Sequence, residues 1–173
     1  HGSSWRVYTF GLFLRGDPNV WGVTWWIPAP KLSVDKYNPG GYKTTLILSR
    51  MVVHPLVPTN GASFLLGASV RRIASIGRYS YLMTYADTWK GHTGKVYQAC
   101  NWDYEGMSEP TAVWLDKDGV LVSSYFNGRI QSQTTMIEKG YRKLGMYPKH
   151  IYTMQLKSKA QQEQIRLWTG LAA

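Results

Sequence analysis

The sequence predicts one α/β domain, residues 1–173, in which helices flank a mixed sheet. Three observations lead there. Two apolar runs, Thr44–Val53 and Tyr81–Ala86, are separated by a stretch of helical periodicity that reaches about Ile76. Two β-rich runs near the start are joined by a short turn, the pattern of a hairpin. The chain has 173 residues, 44% hydrophobic and 17% charged, which suits one domain with its own core.

Taken in order, the first strands are Trp5–Leu14 and Val20–Ile27, joined across Arg15-Gly16-Asp17-Pro18-Asn19. Pro28 and Pro30 end the second strand, since proline has no N–H for a ladder. Residues 31–43, with Pro39-Gly40-Gly41, read as a loop. Thr44–Val53 then carries Arg50 among Leu46, Ile47, Leu48, Met51, Val52 and Val53. A charge inside so apolar a run is costly unless it is paired or reaches a pocket. The other reading is an edge-strand arginine snorkelling to water. After the loop Pro55–Asn60, Thr59 or Asn60 can cap a helix to about Ile76. Ala62, Leu66, Val70 and Ile73 share one face of it, and Arg71, Arg72 and Ser75 another. Its amino end, with Asn60, Gly61 and Ser63, offers backbone N–H groups to a phosphate or carboxylate, although every helix has such an end.

The densest gathering of reactive groups and glycines is residues 84–106. The run from Tyr81 stops at Asp87, a polar loop with two glycines follows, and Gly94–Cys100 opens a short helix. An acid at the carboxyl end of a strand is where open α/β sheets place their chemistry. Asp87, His92, Tyr97 and Asn101 supply a base, a switchable proton carrier, a hydroxyl and an amide. The alternative is an Asp cap and turn, a surface His and a core Tyr. Beyond this stretch, Thr111–Leu115 and Val120–Tyr125 flank Asp116-Lys117-Asp118-Gly119, a hairpin signal. Thr134–Leu144 reads as a helix closed by Gly145, His150–Leu156 as a last strand, and Lys157–Trp168 as a basic terminal helix.

Twenty Lys and Arg against ten Asp and Glu give a formal charge of +10, which favours a polyanionic partner, nucleic acid first. Eight Trp and twelve Tyr can also stack on unpaired or flipped bases, though most belong to the core. No apolar run reaches the ~20 residues that span a bilayer, and no secretory signal is visible, so a soluble, non-membrane protein is expected. The lone Cys100 excludes an internal disulfide and fits a reducing cytosol. With one Cys and four scattered His there is no zinc spacing, and an iron site of His, Asp and Tyr ligands has no support in the spacing either. Phosphate-cradling, dinucleotide and nucleophile-elbow motifs are absent.

The order of hairpin, strand, helix, strand and helix resembles the GNAT acetyltransferase-like fold. In that fold the third strand and the helix after it make the pocket for a pantetheine-bearing donor such as acetyl-CoA. The usual pyrophosphate loop, Arg or Gln-x-x-Gly-x-Gly or Ala, is replaced by Val57-Pro58-Thr59-Asn60-Gly61-Ala62-Ser63. Another acyl or aminoacyl donor therefore stands beside acetyl-CoA. Tyr85-Ala86-Asp87, Gly91-His92-x-Gly94, Tyr97-Gln98-Ala99 and Asn101-Trp102 narrow the resemblance to the phage Mom family. Leu48-Ser49-Arg50, and Pro58 with Asn60 and Ser63, fit its earlier blocks. The likeness covers roughly residues 5–106, leaving a C-terminal extension from about residue 107.

That resemblance implies a cytoplasmic enzyme of the infected bacterial host. It would add a carbamoylmethyl, glycinamide-like group to adenine N6 of double-stranded DNA, protecting the phage from restriction. It implies functional roles for Arg50, Ser63, Asp87 and Tyr97, and for a His before the first strand, where His1 stands. Asn60, Gly61 and Ser63 would hold the donor, while His92, Asn101 and Trp102 would meet the flipped adenine. Two other readings stand beside it. One is a GNAT-type acyltransferase for a small-molecule or protein amine; the other is a non-catalytic basic nucleic-acid-binding protein.

Overall fold

The computed structural model describes residues 8–126, 129–157 and 161. His1, residues 5–7 of the expected first strand, and all of the expected terminal helix except residues 157 and 161 lie outside them. The chain packs as two compact units, one of residues 1–85, 94–105 and 151–173, the other of residues 86–93 and 106–150.

The first unit opens with the expected hairpin, β1 (Tyr8–Phe13) and β2 (Val20–Pro28). Its turn is fastened by Asp17, whose Oδ1 accepts from Asn19 N at 2.8 Å while Oδ2 accepts from Trp21 Nε1 at 2.7 Å. These contacts hold the Asp17 carboxyl below its ordinary range, the Asn19 N–H contributing most. The segment expected to be a loop is partly folded: α1 (Lys31–Val34) and a 3-10 turn (Tyr42–Thr44) lie in it. Val34 is fully buried there beside Ala29, Ile47, Met83 and Ile151. Tyr37 and Tyr42 of the same segment pack against that cluster, so a stretch that reads as a glycine-rich loop is anchored to the core.

β3 (Thr45–Val53) pairs antiparallel with β2, α2 spans Gly61–Ile76, and β4 (Tyr81–Asp87) returns parallel to β3. α3 (Lys95–Ala99) and β5 (Asp103–Met107) follow. The sequence had given no sign of β5. With β11 (Lys149–Gln155) the strands make a six-stranded sheet in the order β1-β2-β3-β4-β11-β5. Helix α2 buries Leu65, Leu66, Ser69 and Ile73. Ala62 and Val70 are only half-buried, so the covered stripe is rotated from the predicted one, while Arg71, Arg72 and Ser75 are exposed as expected.

Strand alternation sorts the sheet's two faces. Thr24, Trp26, Leu48, Leu82 and Thr84 point to the α2 side and are at most 4% exposed. Ile27, Ile47, Met83, Tyr85 and Ile151 point the other way, into the cluster around Val34. Burial of each such large side chain stabilises by about 1.5–3 kcal/mol.

In the second unit β6 (Thr111–Leu115) and β7 (Leu121–Val122) form the predicted hairpin, with Asp116 Oδ1 accepting from the backbone N–H of Asp118 and Val120. The run expected as Val120–Tyr125 is shorter, and Tyr125 belongs instead to β8 (Tyr125–Phe126), paired with β9 (Arg129–Ile130). The helix expected over Thr134–Leu144 is only α4 (Gln133–Glu138). Gly140, at φ +79°, stops it, and β10 (Arg142–Tyr147) then pairs with β6. The strand expected over His150–Leu156 is β11. That strand comes from the part of the chain after residue 107, and it lies between β4 and β5 in the main sheet.

Candidate active site

In the first unit the β3–β4 ladder has four pairs, from Thr45↔Tyr81 to Leu48↔Thr84, and ends there. Thr84 Oγ1 donates to the Leu48 carbonyl at 3.1 Å at the point of parting. Beyond it β3 continues with β2 alone, through a bulge that leaves Ser49 without a cross-strand partner between Leu48↔Trp26 and Arg50↔Trp25. The two parallel strands thus splay at their carboxyl ends, where α/β sheets take ligands.

Two helix ends are tied to each other beside this sheet. The Cys100 thiol, at the end of α3, contacts the Ser63 carbonyl in the first turn of α2 at 3.5 Å. Burial pushes the Cys100 thiol above its ordinary pKa, against a smaller opposing pull from Arg71. Asn60 occupies the N-cap of α2, but its side chain makes no capping bond, and the first turn has no acidic residue. The expected cap geometry is therefore missing. The dipole end stays available to an anion. Ser63 Oγ donates to the Asn60 carbonyl at 2.9 Å, and Gly61 is buried where a Cβ would meet Val57 Cγ1 at 2.1 Å.

Helix α3 is framed by two residues in the left-handed region, Gly94 at φ +75° and Asn101 at φ +59°. Asn101 N donates to Gln98 O at 3.1 Å and Trp102 N to Tyr97 O at 3.1 Å. This pair of bonds is a Schellman closure with Asn at the left-handed position. Asn101, expected to meet substrate, has a backbone task. Tyr97 is 8% exposed, its ring centroid 5.8 Å from that of Trp102 and 5.3 Å from that of Tyr152. Trp102 stacks on Trp26 at 6.3 Å, and Gln98 Nε2 donates to the Tyr152 hydroxyl at 2.9 Å. Trp102 is thus part of a buried aromatic cluster. On this face Thr24 Oγ1, Trp26 Nε1 and Trp102 Nε1 are buried with no hydrogen-bond partner among the described residues. Unpaired donors in a dry place favour an acceptor such as a carbonyl. Trp26 and Tyr152 were not singled out in the sequence, and only strand alternation could have found them.

Arg50 does not join this group. Its pairing with Trp25 puts it on the face away from α2, exposed and without an ion pair among the described residues. The costly buried charge suggested by the sequence does not arise.

Asp87 and His92 belong to the second unit. Asp87 Oδ1 accepts from Lys149 Nζ at 2.9 Å, with both side chains partly exposed, and the Asp87 carbonyl accepts from His92 N at 3.2 Å. Thr88 Oγ1 donates to the Pro148 carbonyl at 2.6 Å. Lys149 is a neighbour of Asp87 that the sequence did not reveal. The His92 side chain is exposed. Among the described residues no three His, Cys, Asp or Glu side chains gather as metal ligands. No described helix is long and apolar enough to cross a membrane.

The fold is shared with solved acetyltransferases at low identity. The ribosomal-protein-S18-alanine N-acetyltransferase of Escherichia coli matches with a TM-score of 0.52 at 10% identity, over 90% of this chain and 72% of that one. A GNAT-family protein of Desulfovibrio desulfuricans matches with a TM-score of 0.50 at 12% identity, over 87% and 69%. The microcin C7 self-immunity acetyltransferase MccE, solved with acetyl-CoA and AMP, matches with a TM-score of 0.50 at 10% identity, over 86% and 61%. No curated protein matches the chain. The Mom protein family model matches residues 2–168, so it takes in the C-terminal part that the sequence motifs had left out. With a GNAT-like mixed sheet and a family match along almost its whole length, the chain belongs to the Mom protein family.

Proposed function

We propose that the protein is a transferase that adds a carbamoylmethyl group to adenine N6 of DNA and so shields that DNA from restriction. The observation that carries this reading is the family match over residues 2–168 on a fold whose parallel strands β3 and β4 part at their carboxyl ends.

Adenine N6 is a weak nucleophile, because its lone pair is delocalised into the ring. It also lies inside the duplex stack, so the base is flipped out at a cost of a few kcal/mol. In the transfer N6 forms a bond to the methylene carbon of the incoming carbamoylmethyl group, the bond from that carbon to the donor's leaving group breaks, and N6 loses a proton. Asp87 is the group we assign to take that proton. Lys149 engages its Oδ1, and no described residue hydrogen-bonds Oδ2. A well-placed base contributes about 10²–10⁴ in rate. Tyr97 lies in the aromatic cluster, where its hydroxyl would orient the base or the leaving group.

The anionic part of a CoA-type donor would meet the first turn of α2, where no acid opposes an anion and no side chain caps the end. Acyl transfer from acetyl-CoA itself would leave an N6-acetyl group, so the proposed product needs a donor that releases its methylene carbon. Asn60, Gly61 and Ser63 would hold it. A donor carbonyl also suits the unpartnered N–H groups of Trp26 and Trp102. Lys and Arg on the surface would meet the phosphates, consistent with a formal charge of +10. Mass spectrometry of nucleosides from DNA of cells expressing the chain tests the reading. Modified deoxyadenosine is expected, and its absence would overturn it.

A further inference from the structure

Among the described residues, the face of the main sheet away from α2 is covered at one end. There Val34, Tyr37 and Tyr42, from the segment between β2 and β3, pack on Ile27, Ile47, Met83 and Ile151. At the other end, along the carboxyl half of β3 and the part of β2 paired with it, large apolar side chains stand in solvent. Phe13 is 56% exposed, Trp25 47% and Val52 62%. The register makes them neighbours: Thr9↔Trp25↔Arg50 form one row across β1, β2 and β3, and Gly11↔Val23↔Val52 the next. The Phe13 ring fills the space over Gly11, where a Cβ would come within 2.9 Å of it. An aromatic and aliphatic patch with a cation in it is not what an uncovered sheet face needs for solubility.

We infer that this face is a stacking platform for unpaired DNA bases, with Trp25 as its principal ring and Phe13 as its second, and with Arg50 drawing in the phosphate backbone. Three features favour this occupant. Arg50 is exposed in the middle of the patch with no ion pair among the described residues, and the chain carries +10, so the surface is complementary to a polyanion. Sequence-tolerant binding of single strands combines aromatic rings with cations in this way. The patch also borders the carboxyl end of β3, where β3 parts from β4, so strand held there lies next to the splay. The inference rests on DNA being the substrate. It adds a surface that would grip the strand around a displaced adenine.

The test is fluorescence anisotropy of an end-labelled oligodeoxyadenylate with the wild type and with Trp25→Leu, Trp25→Tyr and Phe13→Leu, across a salt series. Stacking on one ring is worth about 5- to 150-fold in affinity. Trp25→Leu is expected to lose that much and Trp25→Tyr to restore most of it, with the log–log salt slope unchanged because no phosphate contact is removed. Should Trp25→Leu unfold, Phe13→Leu and Trp25→Tyr carry the comparison. Wild-type affinity in Trp25→Leu, or a loss explained by a change from dimer to monomer in sedimentation, overturns the platform. If DNA from expressing cells still contains modified adenine, the proposed function survives that failure. If the wild type neither binds nor modifies DNA, both fall.

Discussion

Gly94→Ala tests whether α3 is seated as described. The residue has φ +75°, where a Cβ costs about 1–2 kcal/mol. That Cβ would also lie 2.2 Å from Tyr152 Cε2 and 2.6 Å from Cζ. The Tyr152 ring cannot swing aside cheaply, since it is 1% exposed, lies against Tyr97 and Tyr104, and accepts a hydrogen bond from Gln98. Overpacking of that kind costs about 1–3 kcal/mol. The sum is about 2–5 kcal/mol, or about 4–20 °C in melting temperature for a chain of this size. Gly91→Ala is the control. It has φ +71° but nothing within 4 Å of the added carbon, so only the backbone cost of about 1–2 kcal/mol should appear. Urea unfolding measures both, and a double-mutant cycle of Gly94→Ala with Tyr152→Leu isolates the clash. Equal costs at 91 and 94, or no coupling in the cycle, would refute the close approach of α3 to Tyr152.

Asp17→Asn should lower the melting temperature at neutral pH and converge with the wild type in acid. The folded Asp17 pKa is depressed below the ordinary 3.8, so its contribution is present above that value and is lost as pH falls through the folded one. Melting curves between about pH 2 and pH 7 check this, and a difference that persists at the lowest pH contradicts it. Asn101→Gly should be nearly neutral while Asn101→Ala destabilises by about 1–2 kcal/mol, because the position needs a left-handed backbone rather than an amide. If Asn101→Gly keeps its stability but loses activity, the amide meets substrate after all.

Much of the main sheet was legible because period-two and period-3.6 patterns differ sharply in Val20–Ile27, Thr44–Val53 and the helix ending at Ile76. The Asp116–Gly119 turn was legible for the same local reason, since its carboxylate serves its own backbone. What was misread depended on tertiary context. Nothing local marks Val34 as a core residue, and Arg142–Leu144 are as compatible with a helix as with the strand they form, so the pattern does not show that α4 stops before Gly140. Asp87 stands at the end of β4, where the apolar run places it, but Lys149 lies too far along the chain for any pattern to join them. Of the two readings of Arg50, the exposed one holds, because a bulge at Ser49, invisible in sequence, decides which face it takes. The backbone task of Asn101 is equally illegible, since its left-handed conformation closes a helix whose end only the folded chain defines.

The yield of modified deoxyadenosine in DNA from cells expressing the wild type or Asp87→Asn, read by nucleoside mass spectrometry beside a melting curve of each purified protein, tests the central claim most directly. The substitution nearly preserves shape and removes the base. The account predicts carbamoylmethyl-modified adenine with the wild type, and little or none with Asp87→Asn at a melting temperature within a few degrees of it. No modified adenine with the wild type, or wild-type yield from a folded Asp87→Asn, would contradict it.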